Sequence, residues 1–428
     1  MLSNNKINKK VPFVKIKEEK GLITSHSGLY LVGKFCEEVG LFEAFDEYIK
    51  VKERDSGYSS SEALMSLIYV FLSGGDALDD IEVIRKSDAL KVLLGYESFP
   101  HPTTLGRHLR RYTLGHIRQV EKAIKEVRHK VFRDNFFKKI TLDFDSSIWK
   151  EYGNKDGVRY SYKGIKGYNP LFCFIGETGE CLHMRLRGGN VYSSDGAVSF
   201  LREVLGKVNA YIIRIRGDSA FYRRDFVEES ERKGIFFTIT ADPTVSLLEK
   251  IRSIPSDEWR KVGDYEITEF YYKPTGWDRE YRYIVKRERR GRGEQGDLFE
   301  GKYKHYAVVT NMFKGSGSLI LSSHLKRCTT EKMIGELKSG LGLEPLPLRD
   351  FFANWLFLLM GITAFNLLVY IRGFYLPSLY KKHMVKRMRY HFINIPGRVV
   401  KNSKGITLYL MKDNVAIFRE IYYLITDT

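Results

Sequence analysis

Glu331 lies four residues after Arg327 and seven before Lys338, in a stretch that also holds His324 and Glu336. A helix advances about 100° per residue. With Arg327 at zero, Glu331 falls at about 40°, Lys338 at about 20° and His324 at about 60°, while Glu336 falls at about 180°, on the opposite side. One carboxylate on a stripe with two cations and an imidazole suits a site that meets phosphate and a metal ion. The same stripe also reads as a solvated helix face held by i,i+4 ion pairs. What separates the two readings is whether other carboxylates converge on Glu331.

Two candidates sit in strand-like runs. From Lys139 the chain has period two: Ile140, Leu142 and Phe144 alternate with Thr141, Asp143 and Asp145. That predicts a strand with two carboxylates on one face. A hairpin follows, residues 170–175 and 181–186 around a turn at 176–179, then a helix over 194–208. The apolar strand 210–216 ends in Gly217-Asp218-Ser219, and a helix at 224–233 leads to a strand at 234–240. Three strands followed by alternating helix and strand predict an α/β, RNase H-like mixed sheet with helices on both faces. In that fold the first and fourth strands are neighbours. Asp145 (with Asp143) and Asp218 then meet, and a later helix adds Glu331. Three such carboxylates repel one another unless they are protonated or hold cations. Two Mg²⁺ ions, with Mn²⁺ able to substitute, meet that need and clamp the attacking and leaving oxygens of an in-line phosphodiester displacement. Arg327 and Lys338 would hold phosphates beside them. No protein base is required, so the histidines, including His183 and His305, receive no catalytic role.

The formal net charge of +18, from 70 Lys+Arg against 52 Asp+Glu, implies a polyanionic partner, nucleic acid before an acidic membrane. The four cysteines show no paired spacing, which argues against a zinc site or a disulfide framework and suits a reducing cytoplasm. The polar N-terminus has no apolar signal region. The most apolar run, 354–371, carries Asn354 and Asn366 and reads as a buried core helix rather than a membrane span.

The expected organisation is a basic arm at 1–20, a helical DNA-binding domain at 21–135, and a catalytic core at 136–241 and 313–372. A β-rich insertion at 242–312 divides that core, and a basic region follows at 373–428. In the helical part, Leu29, Val32, Phe35, Val39 and Phe42 share a face, and Ser59 with Glu62 forms a capping box. Pro102-Thr103-Thr104 opens a short helix bearing Arg107, Arg110 and Arg111. It reads either as a recognition helix or as a plain capped surface helix. Lys163 and Lys166 lie in a Tyr/Gly-rich basic segment. In the insertion, Arg287, Arg289, Arg290 and Arg292 read as phosphate contacts of a loop or as a solvated charge run.

The chain resembles the DDE transposases of bacterial insertion sequences, in the branch with a β-rich insertion before the catalytic Glu. That branch carries Tyr, two residues, Arg, three residues, Glu, six residues, Lys. Arg327, Glu331 and Lys338 fit this spacing, and His324 stands at the Tyr position. Leu142-Asp-Phe-Asp145-Ser146, Lys166-Gly-Tyr168-Asn-Pro170, Arg216-Gly-Asp218-Ser-Ala-Phe221 and the run from Asn354 to Leu367 are also similar. The resemblance covers roughly residues 20–425. It implies cut-and-paste movement of an element bounded by terminal inverted repeats, with Asp145, Asp218 and Glu331 catalytic and metal-binding, and with Asp143 the alternative to Asp145 as first ligand or a further one. It also implies double-stranded DNA, element ends and target, as partner. His324 would then stand near the terminal phosphate. A homodimer would bridge two ends, and the location would be the bacterial cytoplasm at the nucleoid. In relatives an insertion aromatic can stack on a flipped base, and Trp277, Tyr271 and Tyr272 are candidates for that or for ordinary packing. Two other classes remain compatible: an RNase H-like nuclease without strand transfer, and a non-catalytic DNA-binding repressor.

Overall fold

The computed structural model describes residues 15, 17, 21–51, 57–132, 137–289 and 302–427. Apart from Lys15 and Lys17, the expected basic arm at 1–20 lies outside them, as do Arg290 and Arg292.

Among the described residues nine strands form one central sheet: β1 (Phe137–Ser146), β2 (Leu171–Ile175), β3 (Cys181–Arg185), β4 (Ala210–Gly217), β5 (Phe236–Thr240), β6 (Arg260–Val262), β7 (Tyr265–Tyr272), β8 (Tyr281–Arg289) and β9 (Tyr303–Thr310). Their order is β3-β2-β1-β4-β5-β9-β8-β7-β6. β1 runs parallel to β4, and β4 to β5, while β2 and β3 are antiparallel. This is the RNase H-like arrangement expected from the strand order. The insertion strands continue the same sheet: β9 pairs antiparallel with β5 over Val308–Thr310 and Thr238–Thr240. Residues 242–312 also hold a helix, Val245–Arg252.

The two sheet faces are buried differently. Ile140, Leu142 and Phe144 point into a core shared with Ile215, Phe237 and Ile239. Phe200 and Phe226 enter that core from the helices Ala197–Leu205 and Arg224–Arg232. Phe144 meets Phe200, Phe221 and Phe226 edge-on at centroid distances of 5.6–5.8 Å. Burying such a ring stabilises the fold by roughly 1.5–3 kcal/mol. On the opposite face Phe172 and Phe174 join a second core with the helical parts of the chain. Its centre is the helix Phe351–Phe374, whose most apolar window is 94% buried in protein.

That second core also unites the two ends of the chain. The helices Gly28–Glu38, Leu41–Tyr48, Ser60–Ser73 and Leu114–Val131 contribute to it, and so does the C-terminal helix Lys412–Thr426. Leu22–Thr24 pairs with Gly397–Asn402, which pairs in turn with Gly405–Leu410. The tail therefore holds two strands, and Arg398 and Lys401 flank the two valines of the first. The face from Leu29 to Phe42 is split between two helices, because Gly40 turns left-handed with φ +67° between them. Helix Ser60–Ser73 starts on the predicted capping box. Ser59 Oγ accepts from the Glu62 N–H at 3.2 Å, and the Glu62 carboxylate accepts from the Ser59 N–H at 2.8 Å.

Candidate active site

Two neighbouring strands and a later helix carry the acidic residues. β1 and β4 are in parallel register with Asp143 opposite Arg216 and Phe144 opposite Gly217. The next residues along therefore lie side by side: Asp145, still paired with Phe172 of β2, and Asp218, just past the end of β4. The chain turns at once after Asp218, whose carboxylate accepts from the Ala220 N–H at 3.1 Å and caps the turn Ser219–Phe221. Asp145 accepts from the Ser146 N–H at 2.8 Å. Glu331 is exposed in the first turn of the helix Cys328–Gly335.

Electrostatics joins the three. Burial raises the Asp145 carboxyl to about 7, and the charges of Asp218 and Glu331 add to the rise. Burial also raises Asp218, with Asp242 contributing. Arg327 opposes both shifts, and its Nη1 lies 3.6 Å from Asp145 Oδ2. Among the described residues no three His, Cys, Asp or Glu side chains form a ready-made metal cage. Hard carboxylate oxygens that repel one another nevertheless fit Mg²⁺, which keeps several waters and takes one or two carboxylates.

Asp143 has a different setting. Both its oxygens are gripped by Arg216, from Nε and Nη2, at 2.5 Å each. Burial raises its carboxyl and the Arg216 charge opposes the rise. Arg216 is not among the site residues expected from the sequence. The signal was there, since an Arg on a run as apolar as residues 210–216 faces Asp143 across a parallel ladder.

The regular stripe drawn through residues 324–338 does not persist in the structure. One helix ends at Leu325, Arg327 caps the next, and the segment Glu336–Gly340 is a π-helix with a wider turn. His324 consequently belongs to the preceding helix and is buried. Its Nδ1 meets Thr238 Oγ1 at 2.9 Å, and its Nε2 meets the Tyr306 hydroxyl at 3.0 Å and Thr240 Oγ1 at 3.2 Å. Lys338 donates to the Ile148 carbonyl at 2.5 Å, lies 3.3 Å from Glu344, and covers the Trp149 ring. Arg327 and Lys338 thus both have carboxylate partners here. Glu336 accepts from the Val385 N–H at 2.9 Å, away from Asp145.

The remaining candidates are dispersed. Arg107 and Arg110 are exposed on the helix Pro102–Leu109 and at its C-cap, Arg111 is half-buried, and Arg110 pairs with Asp350 at 3.2 Å. Lys163 is exposed, and Lys166 is half-buried on the short strand Lys166–Tyr168. Arg287 is not in a loop: it lies in β8, pairs with Glu266 at 2.6 Å and stacks between Trp259 and Tyr303. Arg289 is exposed at the end of β8. Trp277 packs between Tyr222 and Tyr281, at 5.1 and 5.4 Å between centroids. Tyr271 stacks on Phe313, and the Tyr272 hydroxyl meets Ser246 Oγ.

The sheet order and the acidic pair at its β1–β4 edge define an RNase H-like protein with carboxylates at the end of its central strands. The chain matches the family described as "Transposase DDE domain group 1" over residues 7–426 and belongs to it. Among solved structures it is similar to a piggyBac transposase, in "Cryo-EM structure of piggyBac transposase synaptic complex with hairpin DNA (SNHP)". The identity is 11%, covering 86% of this chain and 79% of that one, with a TM-score of 0.48. No curated protein matches the chain.

Proposed function

We propose that the chain is a transposase that cuts the ends of a mobile DNA element and joins them to target DNA. One observation carries this reading. The β1–β4 register sets Asp145 beside Asp218, and the charge of Glu331 reaches Asp145. Family membership and the net charge of +18 support it. In this reading Asp145, Asp218 and Glu331 would hold Mg²⁺. When bound, such ions polarise phosphoryl oxygens and lower the pKa of water.

The chain's own residues bind and orient. Asp143, neutralised by Arg216, keeps β1 and β4 in register rather than taking a metal. Arg327, beside Asp145, would face a phosphate. The reaction is two displacements at phosphorus. Water adds to the scissile phosphate as the strand's 3′ oxygen leaves and takes up a proton. That 3′-OH then attacks a target phosphate, gives up its proton, and releases a target 3′-OH. A homodimer would hold two ends at once.

The test is a plasmid carrying the element with its flanking sequences, incubated with Mg²⁺. Wild type nicks both ends and joins them to a second plasmid, whereas Glu331→Gln binds the ends and leaves them intact. Retained cleavage by Glu331→Gln overturns the assignment. Cleavage without joining, when free 3′-OH ends and target are supplied, leaves a nuclease.

A further inference from the structure

Four tyrosines near the acidic edge are turned outwards: Tyr152, Tyr160, Tyr162 and Tyr192 are 71%, 68%, 65% and 65% exposed. They belong to a small three-stranded sheet (Trp149–Lys150, Lys166–Tyr168, Arg159–Tyr160) and the loops beside it. Lys150, Arg159, Lys163 and Lys166 lie on the same strands and loops, and Lys163 Nζ lies 5.4 Å from the centre of the Tyr162 ring.

The backbone under these rings is held tightly. The turn from Ser161 to Ile165 is closed by the Ile165 carbonyl accepting from the Ser161 N–H at 2.9 Å, and Gly164 there takes φ +70°. A side chain at Gly189 would collide with the carbonyls of Gly167 and Arg159. Tyr168 is fully buried and donates to the Asp156 carbonyl at 2.7 Å. The Trp149 indole donates to the Leu343 carbonyl at 2.5 Å.

The sheet is also bracketed by the elements that carry the acidic residues. Ser146, next to Asp145, donates to Ser193, the neighbour of Tyr192, at 2.7 Å. Lys338, seven residues after Glu331, bonds the Ile148 carbonyl just before Trp149. The result is a fixed platform of open aromatic faces among cations beside the candidate active site. Duplex DNA keeps its base faces stacked on one another, whereas an unpaired strand offers them with a polyanionic backbone.

We propose that this platform binds a single-stranded segment at the cut DNA end, with Tyr160 and Tyr162 stacking on unpaired bases and the lysines on its phosphates. The proposal rests on the DNA reading above. The test measures fluorescence anisotropy of the full chain with a labelled blunt duplex, and with the same duplex bearing about six unpaired thymines. The extension should tighten wild-type binding. Tyr160→Ala and Tyr162→Ala should each weaken binding to the extended probe about tenfold. Blunt-duplex affinity and thermal midpoint should not change, and Tyr160→Phe and Tyr162→Phe should bind as wild type. Alanine variants that bind the extended probe normally overturn the platform. So do phenylalanine variants as weak as alanine, or an equal loss on both probes. Binding to blunt duplex with no gain from the extension overturns the platform alone; binding to neither probe overturns the DNA reading as well.

Discussion

Arg216 joins three elements around Asp143. Its Nε and Nη2 hold the two Asp143 oxygens at 2.5 Å, and its Nη1 donates to the Ser323 carbonyl at 2.6 Å. β1, β4 and the helix Gly317–Leu325 are thereby tied together one turn before the element that carries Glu331. The side chains are 7% and 1% exposed, so removing one partner strands a buried charge. Arg216→Ala should lower unfolding free energy by about 3–5 kcal/mol. Arg216→Lys should recover little, since a point charge cannot reproduce two parallel hydrogen bonds. Urea denaturation of the three proteins decides it, and a loss under about 1 kcal/mol for Arg216→Ala would reject the latch.

His324 gives a pH dependence with a definite sign. Burial lowers its pKa from 6.5 to about 3, and the charges of Arg327 and Arg216 reinforce the drop. Between those values the unfolded chain binds a proton that the folded chain refuses. Stability from this group is therefore fully present above about pH 6.5 and drains away as pH falls towards 3. At pH 5 the loss should be about 2 kcal/mol. His324→Gln keeps a polar partner for Tyr306 without titrating. Its urea midpoint should fall less than the wild-type midpoint between pH 7 and pH 5. Parallel pH profiles for the two proteins would refute the buried neutral imidazole.

The contrast between His324 and Asp145 shows what the sequence could carry. Asp145 and Asp218 were legible because period two and strand order fix which faces and ends meet, and a parallel register does the rest. His324 was misplaced because the 100° rule holds only within one continuous helix. The break around Lys326 and the π-turn at Glu336–Gly340 leave no mark in charge spacing. The strands of the insertion were likewise visible one by one. Their attachment to β5 was not, since pairing of Val308–Thr310 with Thr238–Thr240 is a choice between distant segments that local alternation cannot express. The Arg287 side chain taught the same lesson: its burial depends on Trp259 and Glu266, both on other elements.

Trp277 separates packing from recognition. Its ring rests on Tyr222 and Tyr281, and both of these contact the core under β8. Trp277→Ala should cost about 0.5–3 kcal/mol of stability. Trp277→Phe should recover most of that loss. A thermal melt without DNA is sufficient. An alanine variant as stable as wild type would show that the ring contributes nothing to packing and return it to the DNA-contact candidates.

The acidic edge makes a prediction that reverses sign with the medium. Without cations, Asp145 is buried beside the charges of Asp218 and Glu331, with the Arg327 guanidinium and the Ser146 N–H compensating. Asp145→Asn removes a repulsion there, so the metal-free variant should melt at or above the wild-type temperature in EDTA. With Mg²⁺ the order should invert. Binding to the folded state alone adds RT ln(1 + [L]/Kd), about 2.7 kcal/mol at a hundredfold excess over Kd, and the variant lacks a ligand for it. Arg327→Gln provides the complementary case: it deepens the repulsion, so its melting temperature in EDTA should fall below wild type and its gain from Mg²⁺ should exceed the wild-type gain. Thermal melts of the three proteins in EDTA and in Mg²⁺ test the whole set without any DNA. Equal Mg²⁺ shifts in wild type and Asp145→Asn would mean that the ion binds elsewhere, and Asp145 would lose its place as a ligand.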